Sequence, residues 1–273
     1  MVLAGLSPAR RRLVVALLAV LAVAAAGIAA VVVVPRLTGP EADRTVPAAE
    51  QTPGPVLLVP GYGGSTGSLQ VLADRLTATG RDATVVAVPD GGTGDMTASA
   101  EALGAAVDDA LARTGAGSVD VVGYSAGGVI ARLWAADGGA DQARRVVTLG
   151  SPHHGTTLAD LAAGVLPAEC PQACQQLTTT SDLLADLNAG DETPEGPDWV
   201  SVWTTADQTV TPPESAELAG ALELTVQSVC TDSRVTHGQL PTDAVVQGIV
   251  LAQLAAGPPV DLGPADCARL RRG

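Results

Sequence analysis

Apolar positions recur along this chain in two rhythms: short unbroken runs, and longer stretches spaced by three or four residues. Val56–Val59 is a short run closed by Pro60-Gly61, and its β-branched content predicts a buried strand. Ser65–Thr79 carries Leu69, Leu72 and Leu76 at helical spacing, and Ala83–Val88 reads as a second strand. Thr97–Thr114 places Leu103, Val107 and Leu111 on one helical face, with Gly115–Gly117 as the stop. The alternation continues through a strand at Val119–Val122, a helix at Gly127–Ala136, and strands at Arg145–Leu149, Val200–Thr204 and Leu222–Val229. A closing helix is predicted over Pro241–Ala256, with Val245, Val246, Ile249 and Leu254. Near-continuous apolar strands alternating with helices predict an α/β domain, a mostly parallel sheet covered on both faces. Residues 153–198 break the rhythm with two cysteines, Pro167, Pro171 and several turn signals. Such an insertion on the rim of a sheet is a candidate lid or substrate-binding region.

The longest apolar stretch lies outside this alternation. Residues 13–34 carry no charge, are long enough to span a bilayer and follow Arg10, Arg11 and Arg12. A basic cluster before an apolar run predicts export, either as a signal peptide cleaved near Ala24 or Ala26, or as an uncleaved anchor. Arg11-Arg12 also permits a twin-arginine route. Residues 35–54 are rich in Pro, Glu and Thr with no apolar period and read as a linker. The boundaries predicted are therefore 1–34 signal or anchor, 35–54 linker, 55–257 catalytic domain and 258–273 C-terminal tail.

Composition narrows the functional classes. The chain has 273 residues, 47% of them hydrophobic, so a sizeable core can be buried. Aromatics make up only 2% and Phe is absent, so the core must be built from Val, Leu and Ala. Single-stranded nucleic acid needs stacking platforms, which this chain lacks. The net charge is −14, and all 15 basic residues are Arg. Such an acidic body repels nucleic acid and anionic headgroups at long range. No nucleic-acid partner is expected.

Two stretches fit G-x-S-x-G, around Ser65 and Ser125. A nucleophile elbow needs a strand running into the first Gly and a helix starting at the nucleophile. Val119–Val122 abuts Gly123, so Ser125 meets the test; Ser65 lies five residues beyond Pro60 and reads as the N-cap of the next helix. Ser needs a base, and only His153, His154 and His237 exist. In this fold class the order is Ser, acid, His, which selects His237 and leaves His153 and His154 as loop-anchoring residues. Asp207, just past the fifth strand, is the candidate acid. Asp232 and Asp243 are nearer His237 in sequence, but capping explains Asp243. Main-chain N–H groups of Ala126 and Tyr62 are the candidate oxyanion hole. Tyr62 and Tyr124, in the two loops concerned, either wall the pocket or pack beneath it. Four cysteines in an exported domain predict disulfides with three possible connectivities. The spacing favours a local Cys170–Cys174 bridge, with Cys230–Cys267 then pinning the C-terminal tail near His237. There is no C-x-x-C, and no His at ligand spacing, so neither a metal nor another cofactor is expected.

Taken together, five stretches resemble one family. They are Val56–Gly64 (VLLVPGYGG), Val121–Gly128 (VVGYSAGG), Thr148–Thr156 (TLGSPHHGT), Asp207–Pro212 (DQTVTP) and Thr236–Leu240 (THGQL). Residues 55–155 and 199–240 are similar to an α/β-hydrolase lipase/esterase, specifically the exported bacterial class 2 lipases. The resemblance implies an α/β-hydrolase fold and an ester hydrolase with Ser125, Asp207 and His237 as its triad. It also suggests Tyr62 and Ala126 at the oxyanion hole. Two departures stand out: Pro60-Gly61 where many lipases have His-Gly, and Tyr124 where His is frequent before the nucleophile. The expected protein is an extracytoplasmic monomer acting on carboxylic, lipid acyl esters, and touching the membrane through its N-terminal segment if that is uncleaved. A cell-envelope acyltransferase using the same triad, or a silent envelope-binding domain, are the alternatives.

Overall fold

A computed structural model describes residues 52–272. The apolar segment 13–34 and linker residues 35–51 lie outside the described residues. Among those described, no helix is long and apolar enough to cross a membrane.

In chain order the elements are β1 (Val56–Val59), α1 (Gly67–Ala78), β2 (Ala83–Val85), α2 (Met96–Thr114), β3 (Val119–Tyr124), α3 (Ala126–Ala136) and β4 (Ala143–Leu149). The insertion follows with α4 (Thr157–Val165), α5 (Gln172–Gln176) and α6 (Asp182–Leu187). Then come β5 (Asp198–Trp203), β6 (Leu222–Thr225), α7 (Val226–Val229), α8 (Ala244–Gln253) and α9 (Cys267–Leu270). The six strands form one sheet in the order β2-β1-β3-β4-β5-β6, and every pairing is parallel.

Successive strand residues point to opposite faces, so each strand feeds two cores. Leu57, Val59, Val121 and Val146 share one core with Leu103 and Val107 of α2, Val129 and Ile130 of α3, and the insertion. Val56, Leu58, Val122, Val147, Val200 and Val202 share the other with Leu69, Leu72 and Leu76 of α1 and Val246, Ile249 and Val250 of α8. Strands apolar at every position are thus explained by helices on both sides.

Several boundaries differ from the sequence reading. β4 starts at Ala143 because its two charged residues are satisfied inside the fold. Arg144 donates twice to buried Asp120 of β3, and Arg145 reaches Asp198 and the Gly257 carbonyl. β2 stops at Val85, short of the predicted Val88, and the chain folds over the end of β1, where Gly63 N–H donates to Gly92 O. The sixth strand also ends early, at Thr225, whose hydroxyl accepts the Ser228 N–H and starts α7. α8 is ten residues, capped by Asp243 as expected. Ser65 does not cap α1: the flanking residue is Thr66, and no side chain makes the capping bond. Residues 258–272 carry α9, and Leu262 and Leu270 are buried in the second core.

Candidate active site

Strand order reverses between β1 and β3, and loops leaving the two C-terminal ends part there to form a crevice. Ser125 sits on the tight turn from β3 into α3, at φ 54° and ψ −126°. A non-glycine residue rarely holds a positive φ, and this one persists because its surroundings force it. A Cβ on Gly123 would lie 2.5 Å from Gly128 Cα, and one on Gly127 would lie 2.2 Å from Val59 O. These contacts press the turn against β1. Gly61 is needed for the same reason, since its Cβ would lie 2.9 Å from Ser125 Cβ.

The turn projects the Ser125 hydroxyl to His237, whose Nε2 lies 3.0 Å from Oγ. On the other side of the ring, His237 Nδ1 lies 2.7 Å from Asp207 Oδ2. A carboxylate only accepts, so Nδ1 carries the ring proton and Nε2 is free to accept from Ser125. Asp207 is aimed by its own loop, because its Oδ1 accepts the Thr209 and Val210 N–H groups at 2.8 and 2.9 Å. Both Asp207 and His237 are buried. Ser125, Asp207 and His237, 82 and 30 residues apart along the chain, are thus brought into one hydrogen-bonded line. Ala126 opens α3, and Tyr62 follows Gly61 after β1. Neither main-chain N–H donates to another described residue.

Of the two tyrosines, Tyr62 lines the pocket at Ser125 and Tyr124 does not. Tyr124 packs beside His237, ring centroids 5.2 Å apart, and its hydroxyl donates to the His237 carbonyl at 3.2 Å. Burial, and then the nearby Asp207 charge, push its phenol up to about 12. It stays a neutral donor that holds the histidine loop.

His153 and His154 do not line the pocket. Ser201 Oγ donates to Ala216 O, Thr148 Oγ1 donates to Ser201 Oγ, and so Thr148 must accept from His153 Nε2, 3.2 Å away. His153 is therefore neutral with a bare Nδ1. Burial, with the Arg132 and His154 charges adding, holds it well below its ordinary value. His154 lies 3.0 Å from Glu192 of the insertion and 3.4 Å from Ser215 O.

Further residues shape the site that sequence reasoning passed over. Thr156 Oγ1 donates to Thr209 O and accepts from Thr211 N, bracing the Asp207 loop. Gly150, at φ 56°, faces the Asp207–His237 pair: its Cβ would lie 3.3 Å from Asp207 Oδ2 and 3.4 Å from His237 Nδ1. Thr204 Oγ1 donates to Val235 O and accepts from Gln227, tying β5 to the histidine loop. The available signal was proximity: Gly150 and Thr156 lie within Thr148–Thr156. Thr204 and Gln227 gave none.

The two disulfides are Cys170–Cys174 and Cys230–Cys267. The first belongs to the insertion that walls the pocket. The second joins the residue before the histidine loop to α9. A cleft of about 260 Å³ opens from Ser125, lined by Tyr62, Leu158, Ala159, Ala162, Leu177 and Val210 among others. Among the described residues, no group of three His, Cys, Asp or Glu side chains is arranged to hold a metal.

A parallel sheet with helices on both faces, a strained serine at the switch point and late acid and histidine loops define an α/β-hydrolase. The family described as Lipase (class 2) matches residues 105–253, and the chain belongs to that family. Solved structures agree in fold. A lipase B from Aspergillus fumigatus is 20% identical with a TM-score of 0.65, over 80% of this chain and 57% of that one. The Bacillus licheniformis lipase BlEst2 in its propeptide form is 22% identical with a TM-score of 0.60, over 77% of this chain and 53% of that one. Its mature form is 21% identical with a TM-score of 0.54, over 63% and 83%. This chain thus spans little more than half the length of the Aspergillus lipase. A search of curated proteins returns no match.

Proposed function

We propose that this chain is an exported serine hydrolase that cleaves lipid acyl esters through an acyl-enzyme. The observation that carries the reading is the line Asp207–His237–Ser125, with bonds of 2.7 and 3.0 Å, opening on an apolar cleft. Ser125 Oγ attacks the acyl carbonyl as its proton passes to His237 Nε2. Asp207 holds the imidazole and stabilises the imidazolium. Main-chain N–H groups of Tyr62 and Ala126 receive the oxyanion. The alcohol leaves with the proton from Nε2. Water then gives a proton to Nε2 and attacks the acyl carbon, and Ser125 recovers its proton as the acid departs.

Two features favour a lipid over a small soluble ester. Leu158, Ala159, Ala162, Leu177 and Val210 line the cleft beside Thr156, Glu169 and Thr209, and the insertion helix that contributes to it is apolar on its outer side. Leu158, Leu161, Val165 and Leu166 of the first insertion helix and its end are exposed, as is Tyr62. Export is supported by the two disulfides, which persist in oxidising surroundings. On this reading 1–34 is the signal or anchor, 35–54 the linker and 55–257 the catalytic domain of a monomer.

The test is hydrolysis of a p-nitrophenyl ester series, short to long, by the full-length chain. Ser125→Ala should lower kcat by about 10⁴-fold or more, while Ser65→Ala should match the wild type. Wild-type turnover in Ser125→Ala would refute the triad. Labelling of Ser125 by a fluorophosphonate with no hydrolysis of any ester would instead favour acyl transfer to an acceptor other than water.

A further inference from the structure

A second and larger concavity, about 720 Å³, lies between α2 and the end of α3 and shares no residue with the Ser125 cleft. That volume is within the range of small-ligand sites, about 300–1,000 Å³. Its floor is apolar, made by buried Ala100 and Trp134 and half-buried Leu133, and its rim carries the exposed carboxylates of Glu101, Asp108 and Asp137. Acidic rims are common and indicate nothing alone. Trp134 supplies the second observation. Its side chain belongs to a residue only 5% exposed, yet its indole N–H donates to no described residue. The other two tryptophans differ: Trp199 donates to Pro194 O at 3.2 Å and Trp203 to Glu223 Oε2 at 3.0 Å. Two glycines of the groove wall lie against the indole: a Cβ on Gly104 would lie 3.4 Å from Trp134 Cδ1 and 3.5 Å from Nε1, and one on Gly139 would lie 2.4 Å from Nε1.

The chemistry of the groove limits its ligand. An indole N–H only donates, so a ligand that displaces solvent from it must bring an acceptor. The three carboxylates only accept, so they need donors, and they repel any anion. Gln142 Nε2 donates one of its two N–H groups to Asp108 at 2.9 Å, leaving the second N–H and the amide oxygen to a ligand. The ligand must therefore bring many donors, at least one oxygen acceptor, an apolar face for the floor and no negative charge. A lysine-rich peptide could offer the indole its main-chain carbonyls, but its charges meet the rim only through exposed ion pairs, which are weak and screened by salt. A sugar ring has hydroxyls at its edge and C–H groups on its faces. We propose that this groove binds a neutral oligosaccharide, with Trp134 Nε1 donating to a sugar oxygen and the rim carboxylates accepting from its hydroxyls.

The experiment follows the three indole N–H signals of the ¹⁵N-labelled full-length chain, that of Trp134 identified by its loss in Trp134→Phe. Maltotriose, cellotriose and chitotriose are each titrated to about 10 mM, a range that captures millimolar binding. The expected result is a saturable shift of the Trp134 signal alone with at least one trisaccharide, insensitive to salt. Asp137→Asn and Glu101→Gln should each weaken it about tenfold. Gly104→Leu, whose Cβ would stand 3.4 Å from Trp134 Cδ1 on the groove wall, should abolish it and leave ester turnover at the wild-type level. No shift with any of the three sugars overturns the proposal. So does a shift produced by trilysine instead and erased by salt, which would make the groove a cation site. Sugar shifts that survive in Gly104→Leu would also overturn it, because binding would then lie elsewhere.

Discussion

At the scale of single residues, the site rests on positions where a side chain is forbidden as much as on those where one is required. Gly150 is the sharpest case, since its φ is left-handed and its missing Cβ faces Asp207, His237 and Leu240 at 3.3, 3.4 and 2.5 Å. Gly150→Ala should displace the acid–base pair while leaving the cleft intact. The expected outcome is a fall in kcat of about ten- to a hundredfold with KM nearly unchanged, read from steady-state kinetics on a soluble ester. His153 leads to a pH prediction. It is buried neutral, with a folded pKa well below its ordinary value, so below about pH 6.5 the unfolded chain binds the extra proton. Stability is full above that pH and falls as the pH drops towards the folded value. Urea midpoints between pH 7.5 and 5 should decline in the wild type, and His153→Gln should lose that part of the slope. His153 reads as a loop anchor because it follows the fourth strand, ahead of any acid placed to serve a triad. Gly150 lies within the Thr148–Thr156 stretch, but nothing in one chain tells which of its many glycines stands behind Asp207 and His237.

At the scale of elements, the insertion is where position and function meet. Arg132 of α3 is fully buried and joins the helix that follows Ser125 to it, donating to the Leu187 and Glu192 carbonyls at 3.2 and 3.0 Å. Burial lowers this guanidinium to about 10, partly offset by the Glu192 charge, so it stays charged at neutral pH. Leu187 ends α6, and a cation against the last carbonyls of a helix is favourable. On α4 the arrangement is reversed: Ala159 is buried while Leu158, Leu161 and Val165 face outward. An outward apolar face of this kind marks an interaction surface, and on the proposed function its partner is a lipid surface. Leu161→Asp with Val165→Asp should lower turnover of an emulsified long-chain ester by at least about tenfold, and leave a dissolved short-chain ester within about twofold. Equal losses on both would place the helix in the chemistry rather than at the interface. The helices predicted from periodicity recur within a few residues because their apolar faces are buried. The sixth strand was overrun because Val226–Val229 is apolar whether it continues a strand or turns into a helix, and periodicity cannot separate the two over four residues.

At the scale of the whole molecule, the two disulfides have different work. Cys230–Cys267 closes a loop with a sequence separation of 37, against 4 for Cys170–Cys174. Loop-closure entropy assigns the longer bridge about 4 kcal/mol and the shorter about 2 kcal/mol. Replacing Cys230 and Cys267 together by Ala should therefore lower Tm by more than replacing Cys170 and Cys174, roughly 8–16 °C against 4–8 °C for a domain of this size. Differential scanning calorimetry under oxidising conditions measures both. The longer bridge also anchors α9, whose Leu270 fills the core beside α8. Its loss should loosen the histidine loop before the sheet, and His237-dependent turnover should fall at temperatures where the fold persists.

The sequence by itself determined the class of this protein. Apolar runs without alternation require helices on both faces of a sheet, and a strand entering Gly123-Tyr124-Ser125-Ala126-Gly127 requires a sharp turn. Only an acid and a histidine in the right order could follow. These are local or order-based properties, and they survive without knowledge of distances. Only the tertiary structure decided which groups meet. It brought Thr156 to the Asp207 loop, Gly150 behind the Asp207–His237 pair, Tyr124 to the His237 carbonyl and Arg132 to the end of α6, and it left the Trp134 indole facing an open groove. Each of these depends on the close approach of segments far apart in the chain. Such contacts are set by the packing of the whole sheet and its helices, and no single stretch of sequence contains them.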